Sequence, residues 1–289
     1  MNTQKPQVLA CIDGAALTES VCDYAAWIAQ KVDAPLKLLH TINHHHESAI
    51  TSDFSGNIGL GTQEHLLEEI TLLEQQQSKL KMQQGKLIIQ AARDHVEKSG
   101  VNDISTTQRH GNLIEAVIDL ENDIRLLVLG LRGQIHDKQE NQIGAKLEAV
   151  IRALHRPLLI VNGSFKTPEC IMLAYDGSAA ADKAVDMVAS SPLYQGLTCH
   201  LVCVNNNQET AAQLLEQASN KLKAANNIVV ITAKLKGKAD QELCAYQQAN
   251  NIDLTVMGAF SHTRLHDMLL GSFTHKMLVN TKKPLLLLR

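Results

Sequence analysis

Two groups of residues in this chain have the types and spacing to hold a phosphorylated ligand. The first reads Gly258-x2-Ser261-x9-Gly271-Ser272, with an apolar run from Leu254 to Met257 before it and a helical pattern restarting at Ser272 and Phe273. A glycine after a buried strand lets a ligand approach the backbone. A helix that starts at Gly271-Ser272 offers unpaired N–H groups and a partial positive charge to an anion. Ser261 and Ser272 add hydroxyls, and Arg264, between them, is placed to pair with phosphate oxygens. His262 and His266 share that stretch, but no nucleophile accompanies them. The second group is Asp176-Gly177-Ser178, at the end of the apolar run Cys170 to Tyr175. A carboxylate there can accept hydrogen bonds from the ribose or base of a nucleotide, or it can cap the helix that follows. Both groups suit binding. The motifs Gly-x4-Gly-Lys-(Ser/Thr), Gly-x-Gly-x-x-Gly and Gly-x-Ser-x-Gly are absent, which argues against a P-loop nucleotidase, ordinary dinucleotide binding and a serine hydrolase.

The elements that must position these residues are strands alternating with helices. In the first half the strands are expected near 7–13, 36–42, 104–108, 125–129 and 157–161. Helices are expected near 18–31, with Thr18 as its cap, and near 63–99, 113–122 and 145–154; the long one is expected to break near Gly85. The order then restarts at Cys170, with strands near 170–176, 197–204, 228–233, 254–257 and 284–288. Asp13-Gly14 aligns with Asp176-Gly177 at an offset of 163 residues; Gly111 with Gly237, Gly130 with Gly258, and Pro157-Leu158-Leu159 with Pro284-Leu285-Leu286 align at offsets of 126 to 128. The first half therefore carries about 36 extra residues between its second and third strands. The reading is a duplicated domain, 1–163 and 164–289, joined through Asn162 to Pro168. Each domain is α/β, with a doubly wound, Rossmann-like parallel sheet of about five strands. Ligands in such sheets sit outside the carboxyl ends of the strands at the topological switch point. That rule gathers Asp176, Val204, Met257 and Gly258 around one crevice, with Val204 and Met257 against the base or in the core.

Bulk composition narrows the classes. Aromatic residues are only 3% of the chain, so the core is aliphatic, as suits a parallel sheet covered by helices. A net charge of −3 calls for neither nucleic acid nor an anionic membrane as partner. No apolar run reaches the length of a membrane span, and the N-terminus has no signal-peptide pattern. The six cysteines form no Cys-x-x-Cys pair and read as buried free thiols of a reducing cytoplasm. His44-His45-His46 lacks the accompanying ligands of a metal site.

The loop from Gly258 to Ser272 resembles the nucleotide loop of the universal stress protein family, whose ATP-binding members carry Gly-x2-Gly-x9-Gly-(Ser/Thr). Serine stands at 261 in place of the second glycine. The resemblance extends over nearly the whole chain as two copies. It implies a cytoplasmic stress-response protein binding ATP or another adenine nucleotide, with or without magnesium. Asp176 would contact the nucleoside, Val204 and Met257 would line the base, and the glycine loop would hold the phosphates. The first copy departs from the pattern: Ala15 replaces the serine after Asp13-Gly14, and Gly130-x2-Gly133-x10-Gly144-Ala145 is one residue longer than the pattern and lacks the closing hydroxyl. Asp13, Gly130, Gly133 and Gly144 are thus the weaker site. Members of the family pair through their last strands, so 157–161 and 284–288 are expected to pair antiparallel within the chain as a pseudo-dimer. A further homodimer, a slow ATPase activity and a scaffold role without nucleotide stay open at this point.

Overall fold

The computed structural model describes residues 5–42, 60–133, 145–225, 228–258 and 271–289. The first half contains β1 (Gln7–Cys11), α1 (Thr18–Lys31), β2 (Leu36–Ile42), α2 (Leu60–Lys98), β3 (Ile104–His110), α3 (Leu113–Leu120), β4 (Ile124–Gly130), α4 (Ala145–Ala153) and β5 (Leu158–Val161). The second repeats the order with β6 (Cys170–Ala174), α5 (Ala179–Ser190), β7 (Thr198–Val204), α6 (Gln208–Ala225), β8 (Val229–Leu235), α7 (Ala239–Ala249), β9 (Leu254–Gly258), α8 (Ser272–Asn280) and β10 (Leu285–Leu288). The strands form one ten-stranded sheet in the order β3-β2-β1-β4-β5-β10-β9-β6-β7-β8. Among the described residues every pairing is parallel except one. β5 and β10 run antiparallel, with Leu158, Leu159 and Ile160 opposite Leu287, Leu286 and Leu285. Each half is thus a doubly wound sheet, and the expected pairing of last strands forms the seam between them.

Strand composition follows position in the sheet. β4, β5, β9 and β10 sit between neighbours with helices on both faces, and they are almost continuous runs of buried aliphatic residues. The outer strand β3 reads Ile-Ser-Thr-Thr-Gln-Arg-His, a polar strand that discourages pairing with another chain. Helices α1, α2, α5 and α6 contribute to the core on one face, and α3, α4, α7 and α8 to the core on the other. At the seam, each half caps the last helix of the other. Asn162 donates its side-chain N–H to the Thr281 carbonyl at 2.6 Å, just beyond α8. Arg289, at the matching position, donates to the carbonyls of Arg152 and Leu154 at the end of α4. The connecting segment is pinned on both sides. Phe165 packs edge-on against Tyr24 with ring centroids 4.8 Å apart, and Lys166 pairs with the buried Asp253 at 2.7 Å.

Three local expectations need correction. The long helix does not break near Gly85; α2 runs uninterrupted for 39 residues. Gly85 serves close approach instead, since a Cβ there would come within 2.3 Å of Gln108 Nε2 and 2.8 Å of His40 Cδ2. Gln108 also donates to the Met82 carbonyl at 3.2 Å, fastening the helix over β2 and β3. Thr18 is not a cap: the cap position is Leu17, without a side-chain bond, and Thr18 is the first helical residue. Its hydroxyl instead bridges Asp13 Oδ1 at 3.3 Å and the Gly14 N–H at 3.0 Å. The first and sixth strands also end two residues sooner than the run to each aspartate suggested, because Asp13 and Asp176 lie in the turns beyond them.

Candidate functional site

The site is assembled at the carboxyl ends of β7, β6 and β9, three neighbouring strands that include the switch point of the second half. Register places Ala174 of β6 beside Val202 of β7 and Met257 of β9. Asp176, Val204 and Gly258, each one or two residues further on, therefore share one rim of the sheet. Asp176 is exposed, and Val204 and Gly258 are half-buried. The chain turns at Gly177, whose φ of +76° suits glycine; a Cβ there would also strike Leu214 of α6 at 2.7 Å.

Ser178, not Asp176, caps the next helix. Its Oγ accepts from the Ala181 N–H at 3.2 Å, and Asp176 Oδ1 accepts from the Ser178 N–H at 2.9 Å. Asp176 thus makes an Asx turn at the rim. Tyr175 anchors this turn from below: its hydroxyl donates to Asp182 at 2.6 Å, and burial followed by that bond pushes its ionisation well above the ordinary tyrosine value. Cys203, beside Asp176, is also pushed up, first by burial and then by the aspartate's charge. Its thiol is therefore protonated at neutral pH and a poor nucleophile.

Gly258 is fixed by packing. A Cβ there would lie 2.6 Å from the carbonyl carbon and oxygen of Ala180 and 2.9 Å from Ala181 N, so the end of β9 meets the first turn of α5 backbone to backbone. Met257, 2% exposed, belongs to the core shared with Leu243 of α7 and Met277 of α8. Val204 is half-buried and packs against that same core from the rim.

The other end of the candidate site begins at α8. Gly271 occupies the cap position with φ −53° and ψ 137°, and no side chain among the described residues caps the helix. Gly271 and Ser272 are exposed, while Phe273 is half-buried against the core and orients the first turn. The N–H groups of that turn are the kind that hold an anion. Ser261 and Arg264 lie outside the described residues. The groups present fit a nucleotide in chemical type: a carboxylate that accepts from hydroxyls, an aliphatic rim for a base, and the N–H donors of a helix start for phosphates.

The first half arranges its counterpart differently. α1 starts five residues after Asp13, whereas α5 starts three after Asp176. Asp13 Oδ1 accepts from both the Ala15 N–H, at 2.9 Å, and the Thr18 hydroxyl. Gly133 lies against the same carboxylate, where a Cβ would sit 2.9 Å from Oδ2. Gly130 ends β4, and a Cβ there would find its nearest neighbours, Leu17 Cβ and the Arg132 carbonyl oxygen, at 3.3 Å. Gly144 and the His44-His45-His46 run lie outside the described residues. No cluster of three metal-ligating side chains occurs among the described residues.

These features define a class: a tandem pair of doubly wound α/β units, joined through their fifth strands, with a strand-end Asp-Gly-Ser turn in the second. The model of the universal stress protein family matches residues 6–162 and again 169–289, and the chain belongs to that family. It is 33% identical to the universal stress protein Slr1230 of Synechocystis sp. over 292 residues, covering 98% of this chain and 99% of that one. A crystal structure of a universal stress protein from Archaeoglobus fulgidus superposes with a TM-score of 0.74 at 17% identity, covering 99% of each chain. A functionally unknown protein from Pseudomonas aeruginosa superposes with a TM-score of 0.61 at 14% identity, covering 98% of this chain and 92% of that one. No helix among the described residues is long and apolar enough to cross a membrane.

Proposed function

We propose that the second half, residues 164–289, is an adenine-nucleotide-binding regulatory module of a cytoplasmic stress-response protein. The first half, residues 1–163, serves as its paired but degenerate copy. The observation that carries this reading is the meeting of Asp176, Val204 and Gly258 at one rim beside the switch point, in the half that also keeps the Gly271-Ser272 helix start. In this reading Asp176 accepts from the ribose and Val204 covers the base. The N–H groups of Gly271, Ser272 and Phe273 hold the phosphates, and Ser261 and Arg264 are assigned to the same groups from the sequence pattern. Gly177 and Ser178 fix the direction of Asp176, and Gly258 with Met257 forms the floor. ATP, ADP or AMP satisfies this donor set, and magnesium would accompany the polyphosphates. Binding changes the conformation or partner choice of the module; turnover is not its main task.

The test begins with protein purified without added ligand, denatured, and its supernatant resolved by ion-exchange chromatography. A single adenine nucleotide per chain is expected. Gly271→Val is the matching variant. At φ −53° the backbone accepts valine, and the nearest described neighbour of a new Cβ is Thr274 Oγ1 at 4.0 Å. The variant should fold and melt like the parent while losing nucleotide in calorimetry. A well-folded Gly271→Val protein that binds ATP as tightly as the parent would sink this reading.

A further inference from the structure

The insert that distinguishes the two halves ends in α2, and much of that helix stands in the open. Every side chain from Glu68 to Gln84 except Ser78 is exposed. This stretch is about 26 Å long at the α-helical rise. A helix of that length without tertiary packing is only marginally stable in water. Yet it presents large apolar residues to solvent: Ile70 is 44% exposed, Leu73 57%, Leu80 55% and Leu87 71%.

These four residues recur in a heptad. Ile70, Gln77 and Gln84 occupy one position of the repeat, and Leu73, Leu80 and Leu87 the position three residues later. They form a narrow stripe along α2, the pattern of a two-stranded coiled-coil seam. The residues that dock α2 on the sheet, namely Gly85, Ile88, Ile89, Ala92 and Val96, lie on the adjoining face, centred about 100° round the helix from the stripe. Leu72 and Met82 are exposed as well, but off the stripe.

We infer that α2 is a dimerisation helix, and that its occupant is α2 of a second copy of this chain, running antiparallel. The flanking charges select both partner and direction. A parallel pair would set Glu69 of one chain against Glu74 of the other, twice. An antiparallel pair centred between Ser78 and Lys79 sets Glu74 beside Lys81 of the other chain, again twice, with only glutamines on the opposite flank at Gln76 and Gln83. The same centring packs Ile70 on Leu87, Leu73 on Gln84 and Gln77 on Leu80 across the two-fold axis. The polar glutamines in the seam weaken it and fix its register.

Full-length protein should sediment as a concentration-dependent dimer. Leu73→Glu with Leu80→Glu should shift it to monomer, raising the dissociation constant by about 30-fold or more, as for loss of an interface hot spot. Both side chains are exposed in the single chain, so the variant should keep its thermal transition. Glu74→Lys alone and Lys81→Glu alone should each weaken the dimer, whereas the double swap restores it and an equimolar mixture of the two single variants forms heterodimers. A parent that stays monomeric at all concentrations overturns the inference, as does a dimer indifferent to the two leucine substitutions, which would assign the stripe to another protein or to a lipid surface. A dimer that the double swap fails to rescue overturns the antiparallel arrangement.

Discussion

Replacing Gly258 by alanine tests whether this glycine is required by packing. The new Cβ would sit 2.6 Å from two backbone atoms of Ala180, whereas carbon atoms in contact prefer about 3.5–4.0 Å. Either the end of β9 or the first turn of α5 must retreat by about 1 Å, and neither neighbour is a side chain that can turn aside. Overpacking of this kind costs about 1–3 kcal/mol, and alanine returns about 0.4–1 kcal/mol by restricting the unfolded chain. The net loss is then roughly 0.5–2.5 kcal/mol. With about 2.1 cal/mol/K of unfolding entropy per residue, that lowers Tm by roughly 2–10 °C if the second half melts alone, and by roughly 1–4 °C if the whole chain melts together. Gly130→Ala is the internal control: its nearest contacts, Leu17 Cβ and the Arg132 carbonyl oxygen, are at 3.3 Å and need give only by a few tenths of an ångström. Its Tm should stay within about 1–2 °C of the parent. Differential scanning calorimetry of the two variants at matched concentration decides the matter. A Gly258→Ala protein as stable as the parent, or a larger loss at Gly130, would refute the packing argument.

Other perturbations have equally definite outcomes. Burial alone would push the Asp253 carboxyl up, but the bonds from Lys166 and from the Glu169 and Cys170 N–H groups outweigh it and hold it below the ordinary carboxylate value. A depressed folded pKa means that this stabilisation is fully present above pH ~4 and is lost as pH falls through the folded value. Asp253→Asn should therefore cost about 1.5–3 kcal/mol at neutral pH in urea titrations, with the difference narrowing below pH ~4. Gln247→Leu should cost about 1–3 kcal/mol, because Gln247 donates to Thr255 at 2.7 Å and accepts from Thr281 at 3.1 Å in a buried chain of bonds. Leu286→Ala, opposite Leu159 in the seam, should cost about 2–5 kcal/mol by calorimetry. Cys22 and Cys199, both pushed up to about 12 chiefly by burial, should resist alkylation at pH 8 in the folded protein and react once urea unfolds it, as mass spectrometry would read.

Much of the architecture is legible in the residues because parallel sheets write themselves as apolar runs. Leu285 to Leu288 and Leu126 to Leu129 are recognisable as two-face-buried strands, and the repeated Asp-Gly pairs mark equivalent strand ends. What escaped the sequence depends on distance between elements remote in the chain. Gly85 looks like a helix breaker until His40 and Gln108 are placed beneath it. Thr18 looks like a cap, but its hydroxyl is taken by Asp13 and Gly14. Gly258 reads as an opening for a ligand, and only the approach of Ala180 reveals why no side chain fits there. Asp176 was legible as a rim residue, whereas its Asx turn onto Ser178 was hidden in backbone geometry. The stripe of Leu73, Leu80 and Leu87 was present as a seven-residue repeat, overshadowed by the larger duplication of the chain.

The antiparallel pairing of β5 with β10 settles a matter of stoichiometry. Two diverged copies made as separate polypeptides would sort into like and unlike pairs, in proportions set by expression and dilution. Tethered through Asn162 to Glu169, they meet at a high and constant effective concentration, so the unlike pair forms in every molecule. The seam also reverses strand direction, so the rim at Asp13 and the rim at Asp176 open toward opposite ends of the sheet. One molecule therefore carries two different faces in a fixed one-to-one ratio, and each is free to drift in sequence without losing its mate.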